Sequence, residues 1–137
     1  NGVRDVEHWD PQRTYIGRDL ANMSRLFNRT LVQFGTGAGP ESNTLHPDLA
    51  SDTGKASSDN KTWTFTLKTG IKWQDGSPVT CEDVKYGVSR TFATDIITGG
   101  PNYAIQFLDI PNETNATAAK TFPSAYHGPY NGQGQAL

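Results

Sequence analysis

Residues 63–90 read W-T-F-T-L-K-T-G-I-K-W-Q-D-G-S-P-V-T-C-E-D-V-K-Y-G-V-S-R, and they decide the fold class. Trp63, Phe65 and Leu67 alternate with Thr64, Thr66 and Lys68. That period of two, rich in aromatic and Thr side chains, predicts a half-buried strand. Thr69-Gly70 interrupt it and Ile71-Lys72-Trp73 resume it briefly. Gln74-Asp75-Gly76-Ser77-Pro78 is a turn: Asp bonds its own local backbone, Gly supplies positive φ, and Pro fixes the exit. Thr80 then stands as an N-cap, with Asp83 three residues on to return the hydrogen bond. Glu82 and Asp83 complement the helix dipole from the first turn. Cys81, Val84, Val88 and Phe92 follow at helical spacing and predict a buried stripe.

Outward from that segment the same reasoning gives more short elements. Ile16, Leu20, Met23 and Phe27 fall on one helical face within residues 15–29. Arg18, Arg25 and Arg29 lie off that face and read as solvated charges. Thr30 to Phe34 predicts a strand. Gly35-Thr-Gly-Ala-Gly-Pro40 resembles a phosphate cradle only superficially, because no Gly-Lys-Ser/Thr or helix start follows; it reads as a hairpin-like surface loop. Residues 54–61 form a polar turn between strands. Gly99-Gly100-Pro101 stop any regular element, and Asn102 to Leu108 can form a short helix. Residues 109–121 read as loop, and the Gly/Tyr-rich remainder carries no regular pattern.

Composition narrows the function classes. The chain has 137 residues, a formal net charge of -2 and 34% hydrophobic residues. There is no basic stripe of the kind a nucleic-acid binder shows. No apolar run approaches the roughly 20 residues needed to cross a bilayer. No signal peptide is recognisable, so any targeting segment was removed or never included. His8, His46 and His127 are scattered without metal-ligand spacing. No nucleophile motif is present, and Glu82-Asp83 sit side by side on a helix, where they point to different faces.

The string W-T-F-x-L-K-x-G-I-K-W-x-D-G-x-P-V-T-x-E-D-V-x-Y-x-V-x-R resembles the signature segment of the family 5 extracellular solute-binding proteins. These are the dipeptide- and oligopeptide-binding components of ABC importers. Leu26-Phe-Asn-Arg-Thr-Leu-Val32 and His46-Pro-Asp-Leu-Ala50 are similar to two further steps of the family pattern, although Ser51-Asp52 replace its usual Glu-Ser-Trp. The resemblance implies a mixed α+β chain with short strands and about two main helices, part of one lobe of a two-lobed periplasmic-binding-protein-like fold. It implies that residues 1–137 are a fragment of the N-terminal lobe, with signature segment 63–90 and a loop-rich tail over 109–137.

The family's ligand runs beside the segment before its hydrophobic-Asp-Pro step, here Trp9-Asp10-Pro11. Carried over, that nominates Asp5, Val6, Glu7 and His8 as a cleft rim; the alternative is a solvated N-terminal arm. Tyr103 matches a "Pro-Tyr-Ala" type step near the ligand, and the alternative is an aromatic covering the lobe's small core. Cys81 stands where the family carries a small residue. It reads either as a small buried hydrophobe or as half of a disulfide whose partner lies outside this chain. The N-x-S/T sequons, which begin at Asn22, Asn28, Asn60, Asn112 and Asn115, carry little weight in a chiefly bacterial family.

What the resemblance implies for function is an extracytoplasmic, non-enzymatic binding component. It would sit in the periplasm or on the outer face of the cell membrane, lipid-anchored in the full-length protein. Its partners would be a peptide or other small solute and the ABC permease subunits, with no nucleic acid and no cofactor. Two rivals stay open: a small secreted carbohydrate-binding module using Trp63 and Trp73 as sugar platforms, and an enzyme domain using Glu82 and Asp83.

Overall fold

The computed structural model describes residues 5–91 and 97–108, arranged as two compact units. The first joins the chain up to Met23 with the chain from Glu82 onward, and the second is Ser24–Cys81. The chain is mixed α and β, with two ten-residue helices and short strands.

In the second unit, β1 (Val32–Phe34) pairs antiparallel with β2 (Leu45–Pro47), Val32 opposite Pro47 and Phe34 opposite Leu45. The glycine-rich run is the hairpin loop between them, as expected. Pro40 opens a single 3₁₀ turn over Gly39–Asn43, where its missing N–H costs nothing. Gly35 has a steric reason to be glycine, since a Cβ there would lie 2.4 Å from the Glu41 carbonyl oxygen. After β2 the chain doubles back. Asp48 N–H and Ala50 N–H both donate to the Leu31 carbonyl, and Leu49 N–H donates to that of Thr30.

Residues 49–51 then meet 66–68: Ser51 N–H donates to Thr66 O at 2.7 Å and Lys68 N–H to Leu49 O at 2.9 Å. Ala50, fully buried, sits opposite Leu67. A second antiparallel pair joins β3 (Lys55–Ala56) to β4 (Trp63–Thr64) through a polar turn. The predicted strand over 63–68 therefore exists as a two-residue ladder and a bridge. Its face alternation survives in part: Phe65 and Leu67 are half-buried between exposed Thr64, Thr66 and Lys68, but Trp63, expected on the same face, is 56% exposed. The turn at 74–78 closes a further hairpin, with Lys72 bridged to Pro78 and Trp73 N–H donating to Ser77 O at 2.8 Å. Asp75 Oδ1 accepts from both the backbone N–H and the hydroxyl of Ser77, and Gly76 adopts φ +89°. Those two bonds hold the Asp75 carboxyl below the usual carboxylate range.

Both long helices fall where periodicity puts them. The first, α1 (Gly17–Leu26), buries Met23, with Ile16 and Leu20 half-buried. It ends before Phe27, which is exposed instead of sharing that face. The second, α2 (Cys81–Arg90), starts directly after Thr80 and keeps Glu82 and Asp83 in its first turn. Its predicted buried stripe is corrected: Val84 and Val88 are half-buried, Ser89 is the buried residue, and Cys81 is an exposed free thiol. Cys81 is thus not a small buried hydrophobe. A stripe at 3.6-residue spacing marks a face, not what covers it. Phe92, the loop at 109–121 and the tail with His127 lie outside the described residues.

Candidate functional site

The first unit carries all five candidate ligand-facing residues. Its organising feature is Asp10-Pro11-Gln12. Asp10 Oδ1 accepts from the Gln12 backbone N–H at 3.0 Å, and the Asp10 carbonyl accepts from Arg13 N–H at 3.0 Å, which makes a tight turn. Arg90, in the last turn of α2, reaches across 80 residues with both guanidinium arms, 2.5 Å to Asp10 Oδ2 and 3.3 Å to Oδ1. Both side chains are about a quarter exposed. Burial alone would raise the Asp10 carboxyl; the Arg90 hydrogen bond, the Gln12 N–H and the nearby positive charges outweigh it and hold the group below its ordinary value.

Gln12 adds a second anchor. Its Nε2 donates to the Gly87 carbonyl at 2.6 Å and to Thr91 Oγ1 at 3.2 Å. Gly100 presses against the same turn from a third stretch of chain: a Cβ on it would lie 2.0 Å from the Gln12 carbonyl oxygen. Three stretches far apart in sequence, 10–13, 87–91 and 99–100, are thereby fastened together by polar contacts and one glycine.

That fastening places Tyr103. It opens the short helix α3 (Tyr103–Phe107), and its ring stacks on Phe107 with centroids 6.5 Å apart and an interplanar angle of 23°. Its hydroxyl lies 2.5 Å from that of Tyr15, and either oxygen can donate. The hydrogen bond with Tyr15 pushes the Tyr103 phenol above its ordinary value. Tyr103 is about half exposed.

Asp5 and Glu7 are exposed and Val6 and His8 half-buried. None of these four has a hydrogen bond, ion pair or ring contact to another described residue. The structure therefore pairs Tyr103 with Tyr15, which sequence reasoning did not single out, and joins Tyr103 to none of residues 5–8 by a hydrogen bond or ring contact. The link is through the chain: residues 5–8 run into the Asp10 turn, and Gly100, three residues before Tyr103, packs on it. No signal in the sequence alone could have joined Tyr15 to a residue 88 positions away.

The rival sites gain nothing. Trp63 and Trp73 are both about half exposed, and a Cβ on Gly54 would lie 3.2 Å from the Trp63 ring. Glu82 and Asp83 sit as first-turn residues of α2. Among the described residues no group of three His, Cys, Asp or Glu side chains is placed to hold a metal ion, and no helix is long and apolar enough to cross a membrane.

Comparison with known proteins bears on the same segments. Residues 44–132 match the family model described as bacterial extracellular solute-binding proteins, family 5 Middle. The chain is 42% identical over 86 residues to the probable D,D-dipeptide-binding periplasmic protein DdpA of Escherichia coli strain K12, covering 63% of this chain and 16% of that protein. It is 42% identical over 115 residues to the probable peptide ABC transporter periplasmic-binding protein y4tO of Sinorhizobium fredii, covering 84% of this chain and 20% of the relative. Among solved structures, the clavulanic acid biosynthesis oligopeptide binding protein 2 superposes with a TM-score of 0.72 at 43% identity, over 78% of this chain and 19% of the other. The chain spans no more than about a fifth of the length of these relatives.

Proposed function

This chain belongs to the bacterial extracellular solute-binding proteins of family 5, and from that membership we propose that it is a piece of the N-terminal lobe of a peptide-binding component of an ABC importer. The observation that carries the reading is the family match over residues 44–132, which takes in the whole signature segment 63–90. Relatives named for binding dipeptides and oligopeptides support a peptide or peptide-like solute. The role is binding and delivery, without catalysis. The site of action is outside the cytoplasm, with a lipid anchor on the full-length protein and permease subunits as the membrane partner.

In this reading two lobes close on the solute, and the solute shifts the open–closed balance only through contacts it makes better in the closed state. An extended peptide is held mainly through its main chain, which leaves its side chains to pockets. Tyr103 and the rim Asp5, Val6, Glu7 and His8 are the residues this chain would contribute. Cys81, exposed and free, is open to pairing with a cysteine elsewhere in the full protein.

The test is a thermal-shift panel of di- to hexapeptides on the full-length protein. A peptide present at 100 times its Kd raises stability by about 2.7 kcal/mol, enough to read as a rise of several degrees. A rise with peptides supports the reading. A rise with oligosaccharides and none with peptides overturns the peptide assignment.

A further inference from the structure

We propose that Tyr15 contacts the solute directly, acting with Tyr103 as a hydroxyl pair that takes the N–H and C=O of one residue of the solute's extended main chain, which point to the same side. The inference rests on the reading that Tyr103 faces the peptide; Tyr15 is the addition, and with it a stated chemistry.

The first observation is that the backbones beside the two tyrosines are held while their side chains are largely exposed. Tyr15 follows Thr14, which is 1% exposed, yet Tyr15 itself is 62% exposed and Tyr103 52%. The backbones beneath them are fixed by contact: the Gln12–Arg13 turn against Gly99 and Gly100. Phe107 stacks on the Tyr103 ring. The oxygens meet at 2.5 Å at the outer end of this arrangement.

The second observation concerns what such a pair does for folding. A hydrogen bond between two water-accessible phenols exchanges with water and adds little net stability. The bond therefore does not account for two large aromatic side chains standing at the surface with their polar ends together.

The third step is chemical. When one phenol donates to the other, the donor oxygen keeps free lone pairs and the acceptor oxygen keeps a free O–H. The pair thus shows an acceptor and a donor side by side, with no net charge. A peptide main chain shows the complementary N–H and C=O, whatever its side chains are. A carboxylate or phosphate would use the donor alone and leave the acceptor facing negative charge. Because either tyrosine can donate, the order of donor and acceptor can reverse, so the pair accepts either polarity of the main chain.

The experiment uses the full-length protein, with tri-alanine and tri-lysine as probes and titration calorimetry as the readout. Tyr15→Phe removes the hydroxyl and keeps the ring. The expected result is roughly a three- to tenfold loss of affinity, equal for both peptides, the size of one net hydrogen bond. The double variant with Tyr103→Phe should lose less than the two single losses multiplied, because the hydroxyls act as one unit. An unchanged melting temperature without peptide shows that the fold is intact. Wild-type affinity in Tyr15→Phe, with Tyr103→Phe weakened, overturns the inference and leaves the peptide reading standing. A loss in Tyr15→Phe for one peptide only overturns main-chain recognition. If the wild-type protein binds neither peptide, the peptide reading fails and this inference falls with it.

Discussion

Two glycines of the first unit should respond in opposite directions to the same added methyl group. Gly100→Ala places a carbon 2.0 Å from the Gln12 carbonyl oxygen and 2.9 Å from the Arg13 nitrogen. Both obstructing atoms are backbone, so no side chain can rotate out of the way. The Gln12 turn cannot retreat freely either, because its side chain is bonded to Gly87 and Thr91 and its neighbour Asp10 to Arg90. Relief requires one backbone to move, a cost of about 1–3 kcal/mol for an overpacked contact. Gly87→Ala meets nothing within 4 Å and lies inside α2. There the methyl only restricts the unfolded chain and improves helix propensity, a gain of about 0.5–1 kcal/mol. At about 4 °C per kcal/mol for a chain of this size, Gly87→Ala melts about 2–4 °C higher than wild type and Gly100→Ala about 4–12 °C lower. Thermal unfolding followed by circular dichroism reads both. Equal midpoints for the two variants, or a Gly100→Ala protein as stable as wild type, would refute the contact between residues 12 and 100 on which the placement of Tyr103 depends.

Other expectations concern the polar anchors and the exposed thiol. Asp48 is 4% exposed and accepts from Arg29 Nε at 2.7 Å and from Thr30 N–H at 3.1 Å; Asp48→Ala orphans the Thr30 donor and should cost about 1–3 kcal/mol by urea unfolding. Half-exposed Arg29 resolvates and adds little. At Asp48, as at Asp10, burial would raise the carboxyl, but the Arg29 hydrogen bond and the Thr30 N–H outweigh it and hold it low. A carboxyl whose folded value lies below its unfolded one stabilises fully above about pH 4 and loses that contribution as pH falls through the folded value. The urea midpoint should therefore change little from these groups between pH 7 and 5 and drop below pH 4, and an Asp10→Asn, Asp48→Asn double variant should flatten that drop. Met23→Ala should cost about 2–3 kcal/mol as a fully buried truncation, while Leu26→Ala, 78% exposed on the same helix, should be near neutral by the same unfolding assay. Cys81, being exposed, should react with a small alkylating agent in native buffer, with a mass shift for one adduct; a thiol that reacts only after urea is added would contradict its exposure.

What the sequence made legible was local. The turn at 74–78, the helix after Thr80, the strand before Gly35 and the helix from Tyr103 each follow from residues within five or six positions of one another. Burial and pairing were less legible. The alternation at 63–68 named the face of Phe65 and Leu67 but not that of exposed Trp63, nor the length of the ladder, because only Lys55 and Ala56 arrive to pair with β4. Asp10–Arg90, Gln12–Gly87 and Tyr15–Tyr103 join residues 75 to 88 positions apart. No periodicity encodes such pairs. Asp19 and Asp48 are buried carboxylates that no pattern in the sequence marks, Asp19 beside Arg18 at 2.7 Å. The candidate rim at 5–8 and Tyr103 came from resemblance alone, and resemblance to a motif carries no information about Tyr15, which lies outside it.

A chain with 34% hydrophobic residues has to be ordered by something besides a core. Among the described residues only Met23, Ala50 and Ile97 are buried apolar side chains. Placement of the backbone is set in addition by turns whose side chains bond their own backbone, at Asp10, Asp52, Asp59 and Asp75, and by the Asp10–Arg90 and Arg29–Asp48 pairs. Such contacts are directional where hydrophobic contacts are not. They fix where a backbone lies to within a hydrogen bond's tolerance, and they do so without covering the side chains that project from it. For a binding protein this division has a use. The segments that would meet the solute can be placed accurately while Tyr15 and Tyr103 remain at the surface, so that their hydroxyls give up water only when a ligand arrives.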